Sequence, residues 1–142
     1  MKKDVYGGER KILVVDDEES IRFTLKAALE KRYTVFTAAD GNSALEVITK
    51  EKPALVFMDI NMPGVTGLAA LDLIRQAGIS TVVWMLTGVE DLDTVFKALN
   101  NGAKGYLTKP LELERIRNIV MDVFGETGAT DKTWEVKRSE PK

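Results

Sequence analysis

Residues 54–64 read ALVFMDINMPG. Four apolar residues in a row, Leu55-Val56-Phe57-Met58, stop at an acid, Asp59. A short, continuously apolar run has no polar face to show to water, so it reads as a strand buried on both sides, as in a parallel sheet covered by helices. Met62-Pro63-Gly64 and Gly67 then carry the turn residues of a loop that leads into a helix. The same grammar recurs outward in both directions. Ile12-Leu13-Val14-Val15 precedes Asp16-Asp17-Glu18-Glu19, and Val82 to Leu86 precedes Thr87-Gly88. A weaker run, Gly105-Tyr106-Leu107, precedes Thr108-Lys109-Pro110. Tyr33 to Ala38 is broken by Thr34 and Thr37, which suits an edge strand.

Helical patterns fill the gaps. Residues 19–31 carry Ile21, Leu25, Ala28 and Leu29 on one face, and residues 42–51 carry Ala44, Leu45, Val47 and Ile48. Asp40 or Asn42 caps the second of these, and Pro53 stops it. Residues 67–77 carry Leu68, Leu71 and Ile74 and end before Gly78. Residues 90–100 carry Leu92, Val95, Phe96 and Leu99 and run into Asn100-Asn101-Gly102, a C-terminal stop. Residues 111–124 carry Leu113, Ile116, Ile119, Val120, Val123 and Phe124 and end at Gly125.

Five β-α units in succession imply a parallel sheet with right-handed crossovers. The expected fold is α/β, a three-layer doubly wound domain over residues 10–125. Residues 1–9 form an N-terminal extension, and residues 126–142 a polar tail or linker. Trp134 is unexpected in a pure linker, and the tail reads equally as an extension or as the way to an effector domain.

Composition narrows the chemistry. The chain has 142 residues, of which 44% are hydrophobic and 30% charged, and no cysteine or histidine. Disulfides, thiolate catalysis and imidazole chemistry within the chain are excluded. The net charge of -2 and the acid-interrupted basic residues of the tail argue against direct nucleic-acid binding. The N-terminus has no apolar stretch after its lysines, and no run approaches the roughly 18 apolar residues of a membrane span. A cytoplasmic protein is expected.

In open α/β sheets, ligands bind outside the carboxyl ends of the strands, near the topological switch point. In the order 2-1-3-4-5, strands one and three meet there and bring Asp16, Asp17 and Asp59 into one crevice. Carboxylates so close raise one another's pKa, and a hard divalent cation such as Mg²⁺ relieves them. Lys109 arrives from strand five as a compact cation, and Thr87 brings a hydroxyl from strand four. Together they suit a phosphoryl group on Asp59, because phosphoryl transfer is mostly positioning and charge neutralisation. Each piece has an ordinary reading when taken singly. The acidic run caps a helix, Asp59 is a turn residue, Thr87 is a strand-end hydroxyl, and Lys109-Pro110 is a loop. Chance accounts poorly for all four at the ends of the right four strands.

From about Lys11 to Phe124, the stretches ILVVDDEESIR, ALVFMDINMPGVTGLAAL, VVWMLTG and GAKGYLTKPLELERI resemble the response-regulator receiver family of two-component signalling. The resemblance implies the flavodoxin/CheY-like (βα)5 fold, whose known strand order is also 2-1-3-4-5. It implies that Asp59 is the phosphoacceptor. Mg²⁺ or Mn²⁺ would sit on Asp17, Asp59 and the backbone carbonyl of Asn61, with Asp16 helping through water. Lys109 would pair with Asp59 or its phosphate across a cis bond to Pro110. Thr87 and Tyr106 would be the switch pair, although a tyrosine on a short last strand also reads as static packing. Trp84 reads as core. Gly88 leaves room beside the phosphoryl group. Asn61 and Val89 occupy the positions that tune phosphate lifetime, and Val89 cannot orient a water.

The implied function is a phospho-switch rather than an enzyme, one that catalyses only its own phosphorylation and dephosphorylation. The donor would be a histidine kinase or phosphotransfer protein of a phosphorelay. The face made by the fourth helix, fifth strand and fifth helix would then control an output partner or a homodimer. A haloacid-dehalogenase-type phosphatase also uses a strand-end Asp, but it needs a second Asp two residues on, where this chain has Asn61. A pure interaction module is the other competitor, and the intact set of acids, Thr and Lys disfavours it.

Overall fold

The computed structural model describes residues 10–88 and 92–126. The elements alternate as β1 (Lys11–Val15), α1 (Glu19–Leu29), β2 (Thr34–Ala38), α2 (Gly41–Glu51), β3 (Leu55–Asp59), α3 (Gly67–Gln76), β4 (Val82–Thr87), α4 (Leu92–Asn100), β5 (Gly105–Thr108) and α5 (Leu113–Val123). The five strands form one parallel sheet in the order β2-β1-β3-β4-β5, as expected. The chain divides into a first compact unit ending at Pro110, with the sheet and α1–α4, and a second beginning at Leu111, with α5.

The continuous apolar runs are buried strands. All of β3 is buried, and so are Ile12 to Val15 of β1. Successive side chains alternate between the two faces. Leu13, Val15, Val56, Met58, Val83 and Met85 join the buried side chains of α2, α3 and α4 in one core. The opposite face of β1 and β2 receives α1, whose Leu25 and Leu29 are buried. The first unit thus has three layers, with the sheet in the middle.

Register explains one glycine. Val14, Phe57, Trp84 and Gly105 stand level in a row across β1, β3, β4 and β5. A Cβ on Gly105 would lie 2.6 Å from the Trp84 ring, so the bare backbone makes room for the indole. Trp84 is half-buried rather than enclosed core.

Local chemistry sets the helix ends. The Asp40 carboxylate accepts from the Ser43 N–H at 2.8 Å and caps α2, while Lys52 adopts a left-handed φ of 52° before Pro53 and ends it. Thr66 caps α3 by accepting from the Ala69 N–H at 3.1 Å. Helix α1 stops at Leu29, two residues before its apolar pattern suggested. The Arg32 and Tyr33 N–H groups both turn back to the Leu29 carbonyl, and Tyr33 is sunk completely. Within α5, Ile116, Ile119, Val120 and Met121 are the buried side chains, and Gly125, with a φ of 68°, terminates it.

Gly67 opens α3 directly against the end of β3. Its N–H donates to the Ile60 carbonyl at 2.9 Å, and a Cβ there would fall 2.2 Å from the Asp59 carbonyl oxygen. Backbone cannot yield as a side-chain tip can. Gly67→Ala therefore costs about 1–3 kcal/mol of stability, as overpacking does, measurable by urea unfolding. Gly64→Ala meets no atom within 4 Å, so its cost is only the strain of its φ of 75°.

Candidate functional site

Polar groups are scarce in the interior. Among the described residues, the buried polar or charged ones are Asp16, Asp59 and Thr87, and all three lie at carboxyl ends of strands. Val15 pairs level with Met58, so the next residues, Asp16 and Asp59, stand side by side. One carboxylate oxygen each from Asp16, Asp17 and Asp59 lie within 4.8 Å of one another. Asp17 is exposed, while Asp16 is fully buried and Asp59 is 5% exposed.

Lys109 enters this cluster from the far end of β5. Its Nζ lies 2.9 Å from Asp16 Oδ2, 2.9 Å from Glu18 Oε1 and 3.5 Å from Asp59 Oδ2. The Lys109 N–H donates to the Thr87 carbonyl at 2.8 Å, which ties this loop to the end of β4, and the Lys109–Pro110 bond is cis. The turn after β1 is held by its own groups. Asp16 Oδ1 accepts from the Glu18 N–H at 3.0 Å, and the Arg22 guanidinium donates to the Asp16 carbonyl at 2.8 Å. Asp59 Oδ1 accepts from the Asn61 N–H at 3.2 Å. The Thr87 hydroxyl donates to the Gly88 carbonyl at 2.9 Å.

The expected residues Asp16, Asp17, Asp59 and Lys109 are therefore brought together, and Thr87 ends the strand beside Asp59. Asn61 meets Asp59 through its N–H. Tyr106 lies on β5 with 37% of its surface exposed, not packed inside. Val89 and Trp134 lie outside the described residues. Sequence reading assigned Lys109 to Asp59 alone and overlooked Glu18 as its partner; the closer contacts are to Asp16 and Glu18.

Burial, and then the Asp16 charge, push the Asp59 carboxyl up to about 6, against the pull of Lys109 and the Asn61 N–H. Burial works against the Lys109 ammonium, but the Glu18, Asp16 and Asp59 carboxylates outweigh it and hold its pKa above the usual lysine value. The donor set fits a hard cation: the three clustered ligand atoms are carboxylate oxygens, and the acids outnumber the one ammonium among them.

A doubly wound α/β fold with an acidic crevice, a lysine and a hydroxyl at its strand ends defines a class built for phosphoryl groups. Residues 12–121 match the family described as the response regulator receiver domain. The sporulation initiation phosphotransferase F of Bacillus subtilis (strain 168) is 35% identical over 111 residues, covering 78% of this chain and 90% of that protein. The alkaline phosphatase synthesis transcriptional regulatory protein PhoP of the same strain is 36% identical over 133 residues. That match covers 92% of this chain but 55% of PhoP, so the chain spans about half of that relative. The beryllofluoride-activated NtrC4 receiver domain dimer superposes with a TM-score of 0.74 at 34% identity, over 82% of this chain and 97% of that one. The chain belongs to the response regulator receiver domain family and is a two-component signalling module.

The raised Asp59 value has a sign. In the metal-free protein, the folded state holds this proton more tightly than the unfolded chain does. The resulting stability is complete below the ordinary carboxylate range and is lost as pH rises through about 6. With a chelator present, wild-type Tm should fall between pH 5 and pH 7.5 by an amount worth about 1–1.5 kcal/mol, or several degrees. Asp59→Asn should lack that fall and be the more stable protein at pH 7.5, as scanning calorimetry would show.

Proposed function

We propose that Asp59 is the phosphoacceptor of this receiver, taking its phosphoryl group from the phosphohistidine of a histidine kinase or phosphotransfer protein. The observation that carries this reading is the buried Asp59 carboxylate, flanked by Asp16 and Asp17 and faced by Lys109. The names of the relatives, a sporulation phosphotransferase and a transcriptional regulator, agree with it. A carboxylate oxygen of Asp59 attacks phosphorus in line, the P–N bond of the donor breaks, and the freed imidazole takes up a proton. The product is an acyl phosphate.

Asp17, Asp59 and the Asn61 carbonyl would hold Mg²⁺ or Mn²⁺, with Asp16 reaching it through water. When bound, the cation neutralises the clustered carboxylates and the phosphoryl oxygens. The chain's own residues do the rest. Lys109 offers an ammonium to one phosphoryl oxygen. Thr87 gives up its bond to the Gly88 carbonyl and donates to another, and Gly88 leaves space beside it. Tyr106 then turns inward from its exposed position. The added charge biases an equilibrium between two states, so phosphorylation shifts a population.

The surface of α4 and β5 is the output face in this reading. Leu92 and Phe96 of α4 and Tyr106 of β5 are exposed apolar side chains there. They would meet an output partner or a second copy. The receiver spans residues 10–125 and residues 126–142 lead to an effector or end as a tail; the protein works in the cytoplasm. Its only catalysis is its own phosphorylation and dephosphorylation. Among the described residues, no helix is long and apolar enough to cross a membrane.

Incubation with acetyl phosphate and Mg²⁺ should add one phosphate by intact mass, an adduct absent without the cation and absent in Asp59→Asn. An adduct that survives in Asp59→Asn would overturn the assignment. The phosphate should decay several-fold faster in Val89→Glu than in wild type, since a carboxylate can orient a water and Val89 cannot. Equal lifetimes, followed by loss of the adduct mass with time, would remove Val89 from that role.

A further inference from the structure

The ammonium of Lys109 has three donors and three carboxylates around it, and the three contacts are not equivalent. Asp16 and Glu18 are at 2.9 Å and Asp59 at 3.5 Å. Asp16 and Asp59 are buried, whereas the Glu18 side chain is 56% exposed and comes from the mouth of the pocket. Glu18 occupies the cap position of α1 yet makes no side-chain cap bond. Its carboxylate is spent on Lys109, and its backbone N–H on Asp16 Oδ1.

We infer that Glu18 is a positioning residue that tethers Lys109 at the pocket mouth in the unphosphorylated protein and so opposes formation of the phosphorylated state. The inference rests on the proposed phosphoacceptor role of Asp59. The ammonium donates to Glu18 at 2.9 Å and, at a long 3.5 Å, to Asp59, while Asp16 Oδ2 pairs with it by charge alone. A phosphoryl oxygen on Asp59 competes with Glu18, the shorter of the two hydrogen-bond acceptors, for the ammonium. The Glu18 contact is the one it can give up most easily, because the released carboxylate lies half in water and needs no buried replacement. The strength of this ion pair is therefore subtracted from the affinity for the phosphoryl group. A receiver with a neutral residue here would bind that group more tightly.

The tether and a simple field effect make different predictions. Glu18→Gln removes the charge and the ion pair together. Glu19→Gln removes an exposed charge one residue further on, in the first turn of α1, where no contact to Lys109 is made. Neither substitution deletes a capping bond. Beryllofluoride, the phosphoryl mimic seen with the NtrC4 receiver, serves as the probe in isothermal titration calorimetry at saturating Mg²⁺.

Glu18→Gln should lower the beryllofluoride Kd by about three- to five-fold, the range of a half-exposed ion pair, while lowering the Tm of the ligand-free protein. Glu19→Gln should leave Kd near wild type. Opposite signs for ligand-free stability and ligand affinity are what a tether requires, since a merely structural residue would weaken both. An unchanged or raised Kd in Glu18→Gln overturns the tether, as does an equal gain in Glu19→Gln. A wild-type protein that binds no beryllofluoride overturns the phosphoacceptor reading itself, and the tether with it.

Discussion

Two carboxylates buried side by side at the meeting of β1 and β3 are the constraint on which the rest of the site depends. Asp16 is fully buried and Asp59 nearly so. Neither charge is tolerable alone in that place, because burying an unpaired carboxylate costs several kcal/mol or forces it to take up a proton. The protein meets this with one ammonium, from Lys109, and a short set of N–H donors from Glu18 and Asn61. The balance stays incomplete, and the raised pKa of Asp59 is its signature. A pocket with surplus negative charge and hard oxygen ligands is prepared for a divalent cation.

The fold exists to hold that arrangement. Parallel pairing puts every strand's carboxyl end on the same edge, and the order β2-β1-β3-β4-β5 places β1 beside β3. The level pairing of Val15 with Met58 then sets Asp16 against Asp59 with no further adjustment. Thr87 and Lys109 come from the next two strands, and a backbone bond between Lys109 N–H and the Thr87 carbonyl keeps them in step. Below this edge, two apolar layers lock the strands. In the proposed function, a phosphoryl group at this edge would act on loops carried by that apolar frame.

Much of this was legible in the residues. Leu55 to Met58 and Ile12 to Val15 show no polar face, so their burial on both sides was readable before any coordinates. Asp16, Asp17, Asp59, Thr87 and Lys109 were readable because each stands within two residues of the end of an apolar run, and parallel strands collect such positions at one edge. What was not legible depended on geometry finer than strand order. Glu18 looked like part of a helix-capping run; its reach to Lys109 depends on the turn that Asp16 Oδ1 closes with the Glu18 N–H. The match of Gly105 to Trp84 needs the exact register of β4 with β5, and that of Gly67 to the Asp59 carbonyl needs the path of the loop after β3. The early end of α1 was hidden because the polar residues after Leu29 do not interrupt a helical pattern, whereas the burial of Tyr33 does.

The central claim is that the phosphoryl group resides on Asp59. Borohydride cleaves an acyl phosphate of aspartate reductively and leaves homoserine. The protein would be treated with acetyl phosphate and Mg²⁺, trapped with borohydride, digested, and mapped by tandem mass spectrometry. The account predicts homoserine at position 59 and at no other aspartate. Homoserine at Asp16 or Asp17, or a phosphate that survives the trap on Thr87 or another hydroxyl, would contradict it.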